Sequence, residues 1–585
     1  MKVPKADAVS VALVAAAVLG LVSIAGASSE AQAMDETAIV LGVIGVVAAA
    51  ALAVRPQVLA PRSRLGIAVV AFVVWLFVAA SVSGRGWSAF MGQPMSLLGW
   101  LTVAAVTLVA AAASTRGEAL RRMLEAVAPF VVFAQTAATL VQLAMMAKAR
   151  GSLPNSTYLG EALVLLLPFA LAEESGAHLS RTARYSLVGA SIVALVASGS
   201  RVAGVVAIAW FVWVLVKRTT WAARTKTLAT AGLLVAVVAA GLVFARAEVL
   251  GSAGVETLGE RPQMWSAAAT AVAARPLVGY GPDGFVAGGA SVTTPELALT
   301  GGTIMEFRTG AVDPHSLPVW VAVSGGLVGL ALFLWGAVEV ALAWRARARA
   351  GEDVAPEVWA VMGAVAIFCT APAALQVLPL FAVVLGMSLA RPHAERVAAG
   401  GASRVAGWAV AAVLGGAALV LAANAATRMS LENHGPEVSP GRTTAAQSAS
   451  DLWRFDPHLA YLASLHWGWA VASDPGLAAS LPDLAAIQRA FELDGRDPFI
   501  ALERARTMRF HGSPASSIDA AFLDAFERWP LYPLARAEYA LFLAETARPA
   551  EAREQLRIAR IAPITQEDVK RAVDEANAAI TAGGE

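Results

Sequence analysis

The run Ser316-Leu-Pro-Val-Trp-Val-Ala-Val-Ser-Gly-Gly-Leu-Val-Gly-Leu-Ala-Leu-Phe-Leu-Trp-Gly-Ala-Val-Glu-Val-Ala-Leu-Ala343 decides the fold, and Glu339 is its one charge. A hydrocarbon core about 30 Å thick needs roughly 20 apolar residues to cross as a helix, so the run reads as a membrane span. Its ends differ. Asp313-Pro-His315 stands ahead of it, and Arg345, Arg347 and Arg349 follow. Lys and Arg of short loops stay cytoplasmic, which puts the histidine on the outer face.

The same texture extends through most of the chain. Of 585 residues, 57% are hydrophobic and 15% charged, with a mean hydropathy of +0.63. Soluble chains average about 25% charged residues, so this one lacks a soluble protein's polar surface. The net charge of +1 gives no reason to expect a nucleic-acid partner. Cys369, the one cysteine, has nothing to pair with inside the chain. Spans are expected near 8–26, 38–54, 66–83, 96–114, 124–147, 157–173, 185–199, 201–216, 227–246, 316–343, 357–373, 376–390 and 405–425. The fold class is therefore all-α, a polytopic membrane protein of about 13 transmembrane helices. The short pairs 185–199/201–216 and 357–373/376–390 would equally suit re-entrant hairpins. The first segment follows Lys2 and Lys5 and precedes Ser29-Glu-Ala-Gln-Ala33, a pattern shared with cleaved signal peptides.

With the N-terminus inside, twenty Lys and Arg fall in the inner loops. The short outer loops hold four: Arg85, Lys148, Arg150 and Arg201. Residues 247–315 then form a large extracytoplasmic loop, and everything after about 426 also lies outside. The expected organisation is a transmembrane domain over 1–425, a linker over 426–444 and a helical-repeat domain over 445–585. The loop is rich in Gly, Pro and Thr, with a helix expected over 262–274 and turn residues at Gly279, Gly281, Pro282 and Gly284; a loop this long is more often functional than idle. In the tail, Ala490-Phe-Glu-Leu-Asp-Gly-Arg-Asp-Pro498 is echoed by Ala525-Phe-Glu-Arg-Trp-Pro-Leu-Tyr-Pro533. A helix-pair period of about 34 residues resembles tetratricopeptide repeats, which present a concave face to a partner; a cap on the membrane domain is the plainer reading.

Polar groups at the membrane edge are costly and mark candidate sites. Arg201 in Ser198-Gly-Ser-Arg201 sits at an outer junction, where an interfacial arginine that snorkels would also be at home. Arg261 precedes Pro262, which reads as the first residue of a helix, so free amides and guanidinium together would favour an anion. Arg275 opens Arg275-Pro-Leu-Val-Gly-Tyr-Gly-Pro-Asp-Gly-Phe285. His315, otherwise an ordinary solvated histidine, stands at the mouth of a span, where neutral imidazole suits general base work. Glu161 reads equally as a functional carboxylate or a buried, hydrogen-bonded one, and Asn155 marks the start of its span. The Ser324-Gly-Gly-Leu-Val-Gly329 run would let another helix approach closely. The other histidines are scattered, no carboxylates have ligand spacing, and no phosphate-binding glycine motif is present.

Taken in order, Pro154-Asn-Ser-Thr-Tyr-Leu-Gly-Glu-Ala-Leu-Val-Leu-Leu-Leu-Pro168, Ser198-Gly-Ser-Arg201, Arg261 with Trp265, Pro276-Leu-Val-Gly-Tyr-Gly-Pro-Asp-Gly-Phe285 and His315-Ser316 with its glycine run resemble the O-antigen ligase and O-antigen polymerase superfamily over roughly residues 40–390. The resemblance implies a GT-C-type glycosyltransferase that needs no metal, cofactor or nucleotide sugar. Its donor would be a glycan on undecaprenyl diphosphate, and its acceptor a hydroxyl on a lipid, glycan or protein at the outer face of the bacterial cytoplasmic membrane. Arg201 and Arg261, with Arg275, would hold the donor, and His315 would activate the acceptor. Membrane lipids are further partners, as are envelope assembly proteins through the repeat tail. Two positions depart from the family pattern: Ser316 stands where asparagine is frequent, and Ser324 where an acidic residue often precedes the glycine turn.

Two readings from other classes compete. A secondary transporter would be expected to carry paired broken helices and more intramembrane charge. A non-enzymatic scaffold of an envelope assembly machine would work through residues 445–585.

Overall fold

The computed structural model describes residues 7–19, 21, 30–54, 63–93, 96–145, 150, 152–153, 156–171, 180–217, 256–291, 314–371, 374–390, 401–432, 440–473, 482–561 and 567–582. Among these there are helices and no strands. The apolar part contains α1 (Ala8–Leu19), α2 (Glu30–Ala53), α3 (Arg64–Val82), the single turn α4 (Ser88–Met91), α5 (Trp100–Ser114), α6 (Gly117–Ala144), α7 (Ser156–Ala170), α8 (Arg181–Ala197) and α9 (Arg201–Lys217). Then come α10 (Glu256–Ala274) and α11 (Phe285–Ser291) in the expected outer loop, followed by α12 (Leu317–Arg349), α13 (Ala355–Phe368), α14 (Leu378–Ser388) and α15 (Gly401–Glu432). The expected span 227–246 lies outside the described residues.

Among the described residues, five stretches are long and apolar enough to cross a membrane: Met34–Ala53, Arg64–Val82, Gly117–Ala144, Leu317–Arg349 and Arg404–Leu431. The paired short segments form α8/α9 and α13/α14, all shorter apolar helices. One large core made mostly of Ala, Leu and Val joins α1–α3, α5–α9 and α12–α15. Close approach relies on small residues: α2 meets α15 where Gly42 faces Ala418 and Ala422.

The two ends of this bundle differ chemically. At one end, Arg116 pairs with Asp7 at 3.2 Å, Arg121 donates to the Asp353 carbonyl at 2.7 Å, and Arg347 pairs with Glu352 at 2.7 Å. At the other end, the C-terminus of α3 and the N-terminus of α12 meet α10, α11 and the tail.

The tail is a succession of helices: α16 (Pro440–Leu452), α17 (Pro457–Ser473), α18 (Pro482–Leu493), α19 (Pro498–Phe510), α20 (Ala515–Arg528), α21 (Pro533–Glu545), α22 (Pro549–Ala559) and α23 (Glu567–Ala582). Most begin with proline, whose missing amide costs nothing in a first turn. The two echoing segments end α18 and α20. Phe491 is sandwiched between Arg504 (4.3 Å) and Arg528 (4.7 Å), and Phe526 lies 3.7 Å under Arg536. α15 runs on to Glu432, past the expected limit near 425. There Arg428 and Asp456 form an ion pair of 2.9 Å with both side chains buried, and Asn424 donates to the same carboxylate at 2.8 Å. The tail also grips the loops, since Ala290 of α11 belongs to the core of α19–α23.

Candidate functional site

The centre of the site is a break in α12. Gly326 has φ 66° and ψ −168°, outside the helical region, and glycine takes positive φ without the steric cost of a Cβ. The turn after α10 fills the gap: the Tyr280 amide donates to the Val323 carbonyl at 2.8 Å, and the Leu327 amide to the Pro276 carbonyl at 2.7 Å. A Cβ at Gly326 would stand 2.2 Å from the Leu277 carbonyl oxygen, and one at Gly279 would stand 2.2 Å from that of Val323. Above the break, Val319 and Val323 pack with Met264, Ala268, Tyr280 and Phe285. Below it, Leu327–Arg349 is roughly 34 Å long at 1.5 Å per residue. The close helix approach expected of this glycine run does occur, at Gly325 and Gly329 against Trp75 of α3, whose indole donates to the Gly325 carbonyl at 2.7 Å. Gly326 serves the break instead. Ser324 is buried there, its hydroxyl unpaired among the described residues.

His315 stands one residue ahead of the Ser316 N-cap of α12, half-buried and with φ 53°. Left-handed backbone at a residue with a Cβ is uncommon and clusters at functional sites. Its neighbour Pro314 is held from α10, because the Trp265 indole donates to the Pro314 carbonyl at 3.0 Å. The histidine and the Arg261–Trp265 segment are therefore brought together.

Arg261 itself lies in the second turn of α10, which starts at Glu256 rather than at Pro262. The residues Glu256–Glu260 prolong the helix by more than a turn, so free amides at Arg261 do not form part of the site; the Arg261 side chain is outside the described residues. Arg201 is the first residue of α9, after a turn in which Gly199 has φ 81°. Its side chain is likewise not described. Its neighbour Ser200 meets Gly160 of α7, and α9 packs on α7, α8 and α13. The next residue of α7, Glu161, is fully buried and accepts from the Ala374 amide at 3.2 Å, which favours the hydrogen-bonded reading. Asn155 lies outside the described residues.

Arg275 sits at the far end of α10 from Trp265, about 15 Å along the helix. It donates to the Ser83 carbonyl at 3.1 Å and stacks on Tyr280 at 4.7 Å.

The sequence reading missed a buried polar seam beside Arg275. Arg85 is fully buried. It donates to the Pro282 carbonyl at 2.8 Å, and its Nε and Nη2 have no hydrogen-bond partner among the described residues. Asp283, also fully buried and at φ 59°, accepts from the Gln93 amide at 2.5 Å and from the Ser96 hydroxyl. Burial pushes its carboxyl above the usual range, and the Ser96 bond and Arg85 only partly offset this. From the tail, Asp494 takes a hydrogen bond from Ser88 and faces Arg85, and burial raises it too. Asp497 caps α19 through the Phe499 amide at 2.8 Å and is pushed up to about 7 by burial and by Asp494. One signal was available: Arg85 is one of four basic residues on the short loops expected outside, where the positive-inside trend disfavours them.

Among the described residues no group of three or more His, Cys, Asp or Glu side chains is placed to hold a metal ion. The chain matches no curated protein. Residues 186–334, which run from α8 through the break in α12 and take in Arg201, Arg261, Arg275 and His315, match the O-antigen ligase family.

Proposed function

We propose that the chain transfers a glycan from an undecaprenyl-diphosphate-linked donor to an acceptor hydroxyl at the outer face of the bacterial cytoplasmic membrane, as a metal-independent GT-C-type ligase or polymerase. The observation that carries this reading is that the O-antigen ligase match spans 186–334 and encloses all four candidate side chains in the expected order. His315 takes the proton of the acceptor hydroxyl, which then attacks the sugar carbon as its bond to the diphosphate breaks. The diphosphate leaves with its charge, and Arg261 and Arg201 stabilise that charge as it develops. The left-handed backbone at His315, fixed by Pro314 and Trp265, supports a residue held for a task. The charged end of the bundle, with Arg116, Arg121 and Arg347, supports an inner face opposite to the site. The tail, a tetratricopeptide-like stack in this reading, receives envelope assembly partners on its free face.

The test is glycan analysis of a strain carrying His315→Ala at normal expression. Loss of transferred glycan is expected while the protein still inserts; normal glycan would remove His315 from the mechanism. In a deletion strain, long polymer left on its lipid carrier indicates a ligase, and single repeat units indicate a polymerase.

A further inference from the structure

Two guanidinium groups come to the same Ser83–Gly84 turn at the seam between loop and tail, and among the described residues no carboxylate pairs with either. Arg275 reaches the Ser83 carbonyl and lies on Tyr280. Arg496, from the turn between α18 and α19, crosses the next residue, Gly84: its Nε is 2.8 Å from where a Gly84 Cβ would stand. Gly84 has φ 75° and carries no side chain that could fill this space.

The acids nearby are committed elsewhere. Asp283 binds Gln93 and Ser96; Asp494 binds Ser88 and, at 3.3 Å, the backbone amide of Arg496; Asp497 caps α19. Burial favours the neutral form of all three carboxyls. Arg85, buried beside Asp494, is a further cation nearby, whereas Arg528 is partly compensated by Asp524 at 3.8 Å and Glu527 at 3.9 Å. Burial and the neighbouring Arg275 hold the Arg496 guanidinium below its ordinary range. Two half-buried cations that repel one another are stabilised by an anion between them, and paired guanidiniums hold oxyanions through charge-assisted hydrogen bonds.

We infer that Arg275, which the resemblance placed with the donor-holding arginines, instead forms with the tail's Arg496 an oxyanion subsite for the glycan substrate, separate from the acceptor-activating His315. The inference rests on the proposed glycan transfer for the identity of the ligand, but not for the existence of the site. The subsite lies just past the C-terminus of α10, about 15 Å along the helix from Trp265, which holds the Pro314–His315 segment. It therefore suits an acidic group some distance along the glycan, such as a uronic-acid carboxylate or a phosphate substituent. The tail then contributes to substrate selection directly.

The experiment uses the full chain in detergent, with glucuronate and inorganic diphosphate as separate probes. Binding of glucuronate that weakens roughly tenfold in Arg496→Gln and in Arg275→Gln, and is largely kept in Arg496→Lys, supports a subsite for acidic sugar. Diphosphate binding with the same dependence supports a phosphate subsite. Arg496→Lys keeps the charge, so it separates loss of the site from loss of the fold. No binding of either probe, or binding unchanged in both glutamine variants, overturns the subsite. His315→Ala should leave probe binding intact while abolishing transfer. A wild-type chain that binds a probe through Arg496 but transfers no glycan would sink the functional reading and leave the subsite standing.

Discussion

The Leu327 amide donates to the carbonyl of Pro276 at 2.7 Å, across the break in α12. A helix broken in this way leaves amides and carbonyls without partners, and here a loop turn supplies them. The loop that follows α10 is thus stitched into the helix headed by His315.

Gly326→Ala should destabilise the protein strongly. At φ 66° and ψ −168° the backbone is in a region kept almost wholly by glycine, so an alanine costs about 1–3 kcal/mol in backbone energy alone, and its Cβ would meet the Leu277 carbonyl oxygen at 2.2 Å. Gly329→Ala, whose nearest contact is Trp75 at 3.4 Å, should be close to neutral. Thermal unfolding of both variants in detergent checks this contrast, and equal melting temperatures would contradict it.

Asp456→Ala should detach the tail from α15. Removing one member of a buried ion pair typically costs about 3–5 kcal/mol, because the other charge is left unpaired. Burial raises the Asp456 carboxyl, but Arg428 and its hydrogen bonds outweigh this and leave it below the usual range. Its contribution is therefore complete above the unfolded value near 4 and is lost as pH falls through the lower folded value. Proteolytic release of the tail should be unchanged from neutral pH to about pH 5 and should rise in stronger acid.

The seam should respond to pH in the opposite sense. Asp497 is pushed up to about 7, so between roughly pH 4 and 7 the folded state holds a proton that the unfolded state has lost. Stability from this residue falls as pH rises through that window and is level above it. Asp497→Asn keeps a capping side chain and should flatten the dependence. Melting curves of the two proteins from pH 5 to 8 would show it, and parallel curves would exclude the effect.

Arg85→Ala should loosen the turn at Pro282, leaving Asp283 and Asp494 without their nearest cation. The Pro282 carbonyl would lose its buried donor, a cost of about 1–3 kcal/mol, seen as faster hydrogen exchange at Tyr280–Phe285. Unchanged exchange there would show that Arg85 does not hold this turn.

Much of the helical framework was legible because the length of an apolar run is a local property. The head of α12 was legible too: Asp313-Pro-His-Ser316 announces a helix start, and His315 stands there. Pro262 misled, because a proline preferred in a first turn can also be reached by a helix that begins earlier. The glycines of α12 were correctly read as sites of close approach, but sequence alone does not say whether a helix or a loop turn approaches. The seam was illegible for a different reason. Arg85, Asp283 and Asp494 come from three distant parts of the chain, and no local period connects them. Only Arg85 left a trace, as a cation in a short loop expected to hold few.

The grip of the tail on the loops sets an order of assembly. Arg85 is made with the third helix, but Asp494 and Arg496 come about 200 residues after Asp283 and only after the apolar helices. Until they arrive, a buried guanidinium and its loop lack their final neighbours. This end of the bundle therefore matures only after the apolar helices have been synthesised, and a ribosome that stops before the tail leaves its loops unfinished.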